Sequence, residues 1–243
     1  MRRLFLKGHI SEKMEITGSD AHHLMHVLRS KVGDRVVVAD DDGIVCEAKM
    51  AAFSEDAVTL HLVRIIDADT ESPVSITLVQ CLLKGTKMDF VVQKAVELGV
   101  DAIHPVMSSN CVVKYDKQKQ EKRRQKWQAI SDEAAKQCAR TRRPVIQPIC
   151  TLEEDVSKLK KNGTEILFCY ENEEKTSSRE ALSAMNGSDY AVIIGPEGGF
   201  TLDEASMLRD IGAVPVTLGP RILRAETAAL AALTVLQHDK GDL

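Results

Sequence analysis

Residues 74–237 alternate between short apolar, β-branched runs and longer segments with helical periodicity. Residues 74–83 are one such apolar run, and residues 87–98 then carry apolar side chains at the i, i+3, i+4, i+7 and i+8 positions of one helix face. Buried strands that alternate with amphipathic helices are typical of a layered domain with a largely parallel sheet. The sequence therefore predicts an α/β domain over most of its length.

The other elements of this domain are predicted by the same criteria. Gly99 is placed to end the helix at 87–98, and Thr201 and Glu204 form a capping box at the start of a later helix. Strands are predicted at 102–107, 145–149, 165–170, 190–194 and 214–218, and helices at 119–139, 152–160, 178–185, 201–209 and 225–237.

The first 66 residues show a different, mostly extended pattern. A short strand at 3–6 and a helix at 20–29, capped by Ser19, are followed by extended segments. Those segments lie at 35–39, 44–50 and 58–66, with an Asp-Asp-Asp-Gly turn between the first two. The pattern predicts a small, mostly β domain, either a curled sheet or a barrel. A polar linker around Pro73 then separates two predicted domains, residues 1–70 and 73–243.

The composition is that of a soluble globular protein, with 44% hydrophobic and 28% charged residues. No apolar run has the length of a membrane span, and Lys7 and His9 interrupt the first apolar stretch too early for a signal peptide. We therefore expect a cytoplasmic protein. The six cysteines include no Cys-x-x-Cys pair, which favours reduced thiols over a metal site or disulfide framework.

Positive charge is concentrated in one segment of an acidic chain. The net charge is −4, but residues 114–143 contain 11 Lys and Arg against four Asp and Glu. Such a stretch can follow the phosphates of a nucleic acid, and it can equally be the solvated face of a helix. Charge alone leaves both interpretations open.

Two Gly- and Pro-containing segments follow predicted strands, at 195–200 and 218–227. Ligands of open α/β sheets bind beyond the carboxyl ends of the strands, and glycines there let the backbone approach a ligand closely. The spacing is neither Gly-x-Gly-x-x-Gly nor a phosphate-binding loop with its lysine. The residues alone therefore indicate a small-molecule or nucleotide site, or simply two tight turns.

Taken together, Ile194–Phe200 and Leu218–Ala228 resemble the paired signature of the SPOUT methyltransferases, and most closely the RsmE family. Further segments resemble the same family in the same order along the chain. They are His22-His23-Leu24 with Val27-Leu28-Arg29, Lys84–Asp89 with Gln93-Lys94 and Glu97–Val100, and Glu133, Gln137 and Arg140. The resemblance thus extends from one end of the sequence to the other.

The resemblance implies S-adenosylmethionine-dependent methylation of N3 of uridine 1498 in the 16S ribosomal RNA of the small subunit. It also implies an N-terminal PUA-like β-barrel that binds RNA, a C-terminal α/β domain with a trefoil knot, and a homodimer. No metal is expected, so His22 and His26, although four residues apart on a helix, are interpreted as RNA contacts or packing residues.

Three loops are implied to hold the cofactor through their backbone groups, namely Cys169–Glu171, Gly195–Gly199 and Leu218–Ala225. The implied cofactor-binding residues are Tyr170 in the first loop, Gly195, Glu197, Gly198 and Gly199 in the second, and Leu218, Gly219, Ile222, Leu223 and Ala225 in the third. We expect Arg224 and Arg221 to orient the base or a phosphate and to stabilise the developing uracil anion. Glu226 or Glu197 is the candidate base, although Glu226 equally fits a first-turn carboxylate that interacts with the helix dipole.

Basic residues of both domains are expected to contact RNA: Arg2, Arg3, Arg29, Lys87, Arg140, Arg142 and Arg143. The cluster at 140–143 is the strongest of these candidates, because exposed arginines without an acidic neighbour match phosphate geometry. Trp127 is interpreted as a packing residue rather than a base-stacking one.

Two other functions remain open from the sequence. A related SPOUT enzyme that acts on transfer RNA or on another ribosomal site would keep the same fold and cofactor. A non-catalytic RNA-binding assembly factor would keep the fold alone, and cofactor binding distinguishes it from an enzyme.

Overall fold

The computed structural model describes residues 3–68, 70–173 and 176–243. The chain folds into two compact units, and neither is one continuous segment. The first unit comprises residues 1–71 and 135–143, and the second comprises residues 72–134 and 144–243. No helix among the described residues is both long enough and apolar enough to cross a membrane.

The first unit is built on a five-stranded sheet with the order β1-β3-β4-β5-β2. Its strands are β1 Arg3–Phe5, β2 Lys13–Thr17, β3 Arg35–Ala39, β4 Val45–Phe53 and β5 Ala57–Ile66. The β1 and β3 strands are parallel and the other pairs are antiparallel. Leu4, Leu24, Val38 and Leu60 are among the residues of its buried core. The mostly β character predicted for this region is confirmed.

The structure differs from the prediction at the start of this unit. The β2 strand was not predicted, although its residues alternate between exposed and buried positions. The helix α1, Gly18–His22, begins before Ser19 and continues as a π-helical turn, His23–Val27. The predicted Ser19 cap is therefore wrong: Thr17 is the N-cap residue, and no side chain caps the helix.

Glu71 links the two segments of the first unit. Its carboxylate accepts hydrogen bonds from Arg140 Nε at 2.7 Å and from the backbone N and the hydroxyl of Thr141 at 2.6 and 2.9 Å. Only 4% of the Arg140 side chain is exposed, so this ion pair is buried on the arginine side. Burial alone would raise the pKa of Glu71, but Arg140 and Thr141 outweigh it and hold that pKa below its ordinary value.

We expect Glu71→Gln to lower the free energy of unfolding by about 3 kcal/mol at neutral pH, because it removes the carboxylate that binds the buried Arg140 guanidinium. Since the folded pKa of Glu71 is depressed, its contribution is complete above the unfolded pKa of about 4.3 and is lost as the pH falls through the folded value. Urea unfolding followed by circular dichroism at neutral and acidic pH measures both effects. Glu55→Gln, an exposed carboxylate of the same unit, is the matched control. A Glu71→Gln deficit that persists unchanged in acid would contradict the assignment.

The second unit contains seven strands and six complete or partial helices among its described residues. The strands are β6 Ser75–Cys81, β7 Ala102–Met107, β8 Val145–Ile146, β9 Cys150–Thr151, β10 Glu165–Cys169, β11 Asp189–Ile194 and β12 Val214–Val216. The helices are α2 Lys87–Glu97, α3 Lys117–Gln137, α4 Leu152–Lys161, α5 Ser178–Ser183, α6 Leu202–Asp210 and α7 Ala225–Lys240. The last residues of α3 belong to the first unit.

The sheet of the second unit has the order β12-β10-β11-β6-β7-β8, with β9 also paired to β7. Every strand pair in it is parallel. The predicted apolar face of α2 is buried, Gly99 has the positive φ expected after a helix, and Thr201 with Glu204 forms the predicted capping box. The α/β architecture is therefore confirmed, and the trefoil knot stays a prediction.

One predicted strand is interrupted. Residues 145–149 were expected to be extended, but β8 ends at Ile146 and β9 begins at Cys150. Pro148 lies between them and has no N–H group to donate to a neighbouring strand, which explains why the ladder stops there.

Candidate functional site

The carboxyl ends of three neighbouring strands meet at one edge of the parallel sheet. Cys169, the last residue of β10, pairs with Ile194 at the end of β11 and with Val216 at the end of β12. The loops that follow these strands therefore begin side by side. This is the position at which open α/β sheets bind their ligands.

The three loops line a cavity of about 970 Å³. That volume lies in the upper part of the range for ligand pockets, so a cofactor-sized molecule fits. Every residue that the resemblance implied for cofactor binding lies on its wall, and so do Arg221 and Arg224. The wall also includes Glu171, the last residue of the first implied loop, and Lys87 and Glu173, which the sequence had not assigned to the cofactor site.

The second loop approaches its neighbours too closely for side chains at its glycines. Gly199 has a φ of +66°, and a Cβ atom built there would overlap Oε1 of Glu171. A Cβ on Gly198 would lie 3.2 Å from that of Asn110, whose amide donates hydrogen bonds to the carbonyl oxygens of Gly198 and Gly199 at 3.1 Å. This loop is thus held through its backbone carbonyl oxygens, and its residues line the cavity.

The third loop presents its arginines at the start of α7. Arg224 is the N-cap residue of that helix, in extended conformation and with no side-chain capping bond, so its guanidinium is not needed to begin the helix. Arg221 and Arg224 are both exposed, and Ile222 between them is 87% exposed. Gly219 forms the turn with a φ of +107°, which favours glycine.

A charged cluster connects α2 to two of these segments. The Lys87 ammonium lies 3.1 Å from Glu197 Oε1 and 3.6 Å from Glu226 Oε2. Glu197 also accepts a hydrogen bond from the backbone N of Lys84 at 3.2 Å. Burial would raise the pKa of Glu197, but its backbone hydrogen bonds and Lys87 hold that pKa below its ordinary value. The hydrogen bond with Glu197, with a smaller contribution from Glu226, raises the pKa of Lys87.

Two of the residues predicted to contact RNA are buried. The prediction that Arg140 is exposed is wrong. Its side chain is buried, because Glu71, 69 residues earlier in the sequence, binds its guanidinium. Arg3 is 8% exposed and donates a hydrogen bond to the carbonyl oxygen of Ala139; burial lowers its pKa. Any RNA contact by these two side chains would require these interactions to open.

The other predicted RNA contacts are more accessible. Arg29 and Arg142 are exposed, while Arg143 is partly exposed and bound to Asp41 at 2.8 Å. Lys87 is on the cavity wall, and Arg2 lies outside the described residues. Trp127 is 2% exposed and donates its indole N–H to Asp89, which confirms its interpretation as a packing residue.

The sequence also missed Asn110. Asn110 follows β7, so it lies just beyond the carboxyl end of a parallel strand. That position was the available signal, but an isolated Asn has no motif to distinguish it from other loop residues.

Two family models match the chain. The RNA methyltransferase domain matches residues 70–237, more than half of the sequence, and the RNA methyltransferase PUA domain matches residues 16–63. A Bacillus subtilis protein named ribosomal RNA small subunit methyltransferase E is 32% identical over 98% of this chain and 96% of its own length. The chain belongs to the ribosomal RNA small subunit methyltransferase E family. The predicted family and the PUA-type first domain are thereby confirmed.

Two solved structures of methyltransferases agree with the fold. A ribosomal RNA small subunit methyltransferase E from Neisseria gonorrhoeae, bound to S-adenosyl methionine, has a TM-score of 0.87 and 32% identity, and the match covers 98% of this chain and 97% of that one. A methyltransferase from Legionella pneumophila, in complex with the cofactor SAM, has a TM-score of 0.85 and 32% identity, with coverage of 97% and 96%.

Proposed function

We propose that this protein transfers a methyl group from S-adenosylmethionine to N3 of uridine 1498 in the 16S ribosomal RNA of the small subunit. The observation that carries the proposal is the cavity at the carboxyl ends of β10, β11 and β12. One of its loops contains glycines at which a Cβ atom would meet neighbouring side chains. Membership of the ribosomal RNA small subunit methyltransferase E family supports the substrate class, and two relatives crystallised with S-adenosylmethionine support the cofactor.

Backbone groups of the three loops would hold the cofactor. They belong to Tyr170, Gly195, Glu197, Gly198, Gly199, Leu218, Gly219, Ile222, Leu223 and Ala225. When bound, the cofactor supplies an electrophilic methyl group on a sulfonium. The protein then has to align the nucleophile with that methyl group and exclude water, and alignment alone accelerates such a displacement greatly.

In this proposal, Arg224 and Arg221 orient the target base or an adjacent phosphate and stabilise the charge that develops on uracil. Glu226 or Glu197 accepts the N3 proton. N3 lies on the Watson–Crick edge of uracil, so the target nucleotide is unpaired or turned out of its helix when it enters the cavity.

The first unit adds RNA-binding surface in this proposal. Arg29, Arg142 and Arg143, together with Arg2, contact phosphates and position the rRNA without reading its sequence. The protein acts as a homodimer in the cytoplasm.

The test is transfer of tritiated methyl from S-adenosylmethionine to small ribosomal subunits purified from a strain that lacks the gene. Nucleoside mass spectrometry of the product is expected to show 3-methyluridine. Cofactor binding without transfer would indicate another RNA substrate, such as transfer RNA. A folded protein that binds no cofactor would contradict the enzymatic function and favour a non-catalytic assembly factor.

A further inference from the structure

Lys87 differs from the other basic residues of the cavity because its ammonium lies between two carboxylates from distant segments. Lys87 and Glu197 both line the cavity, and their charged atoms are 3.1 Å apart. Glu226 is not among the lining residues. Its Oε2 atom is buried without a hydrogen-bond partner and lies 3.6 Å from the ammonium. The cluster therefore presents one ammonium and one carboxylate to the cavity, with a second carboxylate set back from the wall.

The net charge of this cluster determines what it can bind. One ammonium and two carboxylates sum to −1, so this cluster repels a group that arrives as an anion, such as a phosphate or the carboxylate of the cofactor's amino-acid part. The cluster becomes neutral once one of its carboxylates has accepted a proton. A hydrogen-bond donor beside an acceptor suits a neutral edge instead. Uracil offers such an edge, because its N3–H donor has a carbonyl acceptor on either side. Among the RNA contacts open to Lys87, this argues against a phosphate and in favour of the base.

We propose that Lys87 is a catalytic residue of the methyl transfer: its ammonium donates a hydrogen bond to a uracil carbonyl beside N3 and stabilises the uracil anion, while Glu226 positions that ammonium. This inference rests on the proposed function and deepens it. It gives Glu226 a role that its buried oxygen can perform, namely holding Lys87 rather than touching the base. It also leaves Glu197, on the cavity wall, as the carboxylate that receives the proton.

The methyl transfer needs only the uracil, the cofactor, the Glu197 carboxylate and the Lys87 ammonium. The N3–H bond breaks, the proton passes to the Glu197 carboxylate, and the electron pair remains on uracil, delocalised onto its two carbonyl oxygens. N3 then forms a bond with the methyl carbon as the carbon–sulfur bond breaks, and the bonding pair returns to sulfur as a neutral thioether. Lys87 keeps its proton throughout, consistent with its raised pKa. Glu197 finally releases the proton to water.

Four other charged residues line the same cavity and influence how the rate of methyl transfer depends on pH. Glu171 and Glu173 follow β10, and Arg221 and Arg224 belong to the third loop. The two arginines and Lys87 all stabilise a uracil anion, and the acidic residues destabilise it. Removing Lys87 alone therefore weakens the stabilisation without abolishing it.

The test is single-turnover methyl transfer to small subunits by Lys87→Met, from acidic to neutral pH and with cofactor and subunits saturating. At neutral pH we expect a rate about 10- to 50-fold lower than that of the wild type, a smaller loss than the roughly 100-fold or more usual for one donor to a developing charge, because Arg221 and Arg224 remain. The acidic limb of the pH–rate profile, which reports the deprotonation of Glu197, moves to higher pH, because Lys87 no longer holds the pKa of Glu197 below its ordinary value. The dissociation constant for S-adenosylmethionine stays within about threefold, which also shows that the variant is folded.

Three further variants sharpen the result. Lys84→Met removes an exposed lysine that is outside the cavity wall and is the matched control for general attraction to RNA; it should leave the pH profile unchanged. Lys87→Arg keeps a charged donor and should recover much of the rate. Glu226→Gln should lower the rate by a smaller factor than Lys87→Met, with kcat changed more than KM.

Several outcomes would overturn the role of Lys87. An equal loss of rate and cofactor affinity would place Lys87 on the cofactor, and weaker subunit binding with a normal saturated rate would place it on a phosphate. A rate lowered by the same factor at every pH would indicate a structural role. A wild-type protein that binds cofactor and transfers no methyl group to the subunits would instead overturn the proposed function, and this role with it.

Discussion

Arg224→Ala is expected to lower the single-turnover rate of methyl transfer by about 100- to 1,000-fold, the usual loss when a donor to developing charge is removed. Its guanidinium is exposed on the cavity wall and makes no capping bond to α7, so the substitution leaves the helix start intact. The dissociation constant for S-adenosylmethionine should change by less than about threefold, because the cofactor is held by backbone groups. Isothermal titration and single-turnover kinetics measure the two quantities separately.

The matched control is Arg179→Ala, which removes an exposed arginine of α5 away from the cavity wall and should change neither quantity. Arg224→Lys keeps the charge but loses the planar fork of donors, and an intermediate rate would show that geometry contributes as well as charge. Equal losses of turnover and cofactor affinity in Arg224→Ala would count against a role in orienting the base.

Gly199→Ala is expected to weaken S-adenosylmethionine binding by about 10-fold, because a backbone strain of about 1–2 kcal/mol falls on a loop that lines the cofactor cavity. Two costs combine at this position. The positive φ of +66° strains any residue with a Cβ by about 1–2 kcal/mol, and the new methyl group overlaps Glu171 Oε1. Glu171 lines the cavity, so moving its carboxylate aside disturbs the cofactor site as well as the loop. Methyl transfer at subsaturating cofactor should fall in proportion.

Gly163→Ala measures the cost of a positive φ alone, without any steric overlap. Gly163 follows α4 with a φ of +85°, and a Cβ there would have no atom within 4 Å. It should therefore lower the free energy of unfolding by about 1 kcal/mol and leave cofactor affinity unchanged. Adding Glu171→Ala to Gly199→Ala removes the overlap and should recover part of the affinity. If Gly199→Ala alone binds the cofactor with the affinity of the wild type, the second loop does not hold the cofactor.

The parallel sheet was predictable because each of its elements is visible locally. A buried strand such as β11 is a continuous apolar run, and α2 shows its buried face by spacing alone. The same local signals located two of the three site loops, since the ligand position follows from where strands end. The order of the strands in space was not predictable from these signals: β6 lies beside β11, although more than a hundred residues separate them.

Long-range charge pairs account for most of what the sequence could not show. Arg140 has no acidic neighbour in its own segment, but Glu71 binds it from 69 residues away. Lys87 belongs to a motif whose position suggested RNA contact, whereas Glu197, 110 residues later, places it in the cavity wall. The sign and spacing of charges along a chain indicate which groups need partners, and only the fold determines which partners they find.

The divided first unit has a consequence for how the protein is made. Its sheet is encoded within the first 71 residues, but the partners of Asp20 and Glu71, namely Lys136 and Arg140, are translated only after residues 72–134. A nascent chain therefore holds an incomplete first unit while a large part of the second emerges from the ribosome. The same interleaving means that a fragment ending at residue 71 lacks the ion pairs that complete this unit. Expressing the first unit alone therefore requires residues 135–143 to be joined back to it.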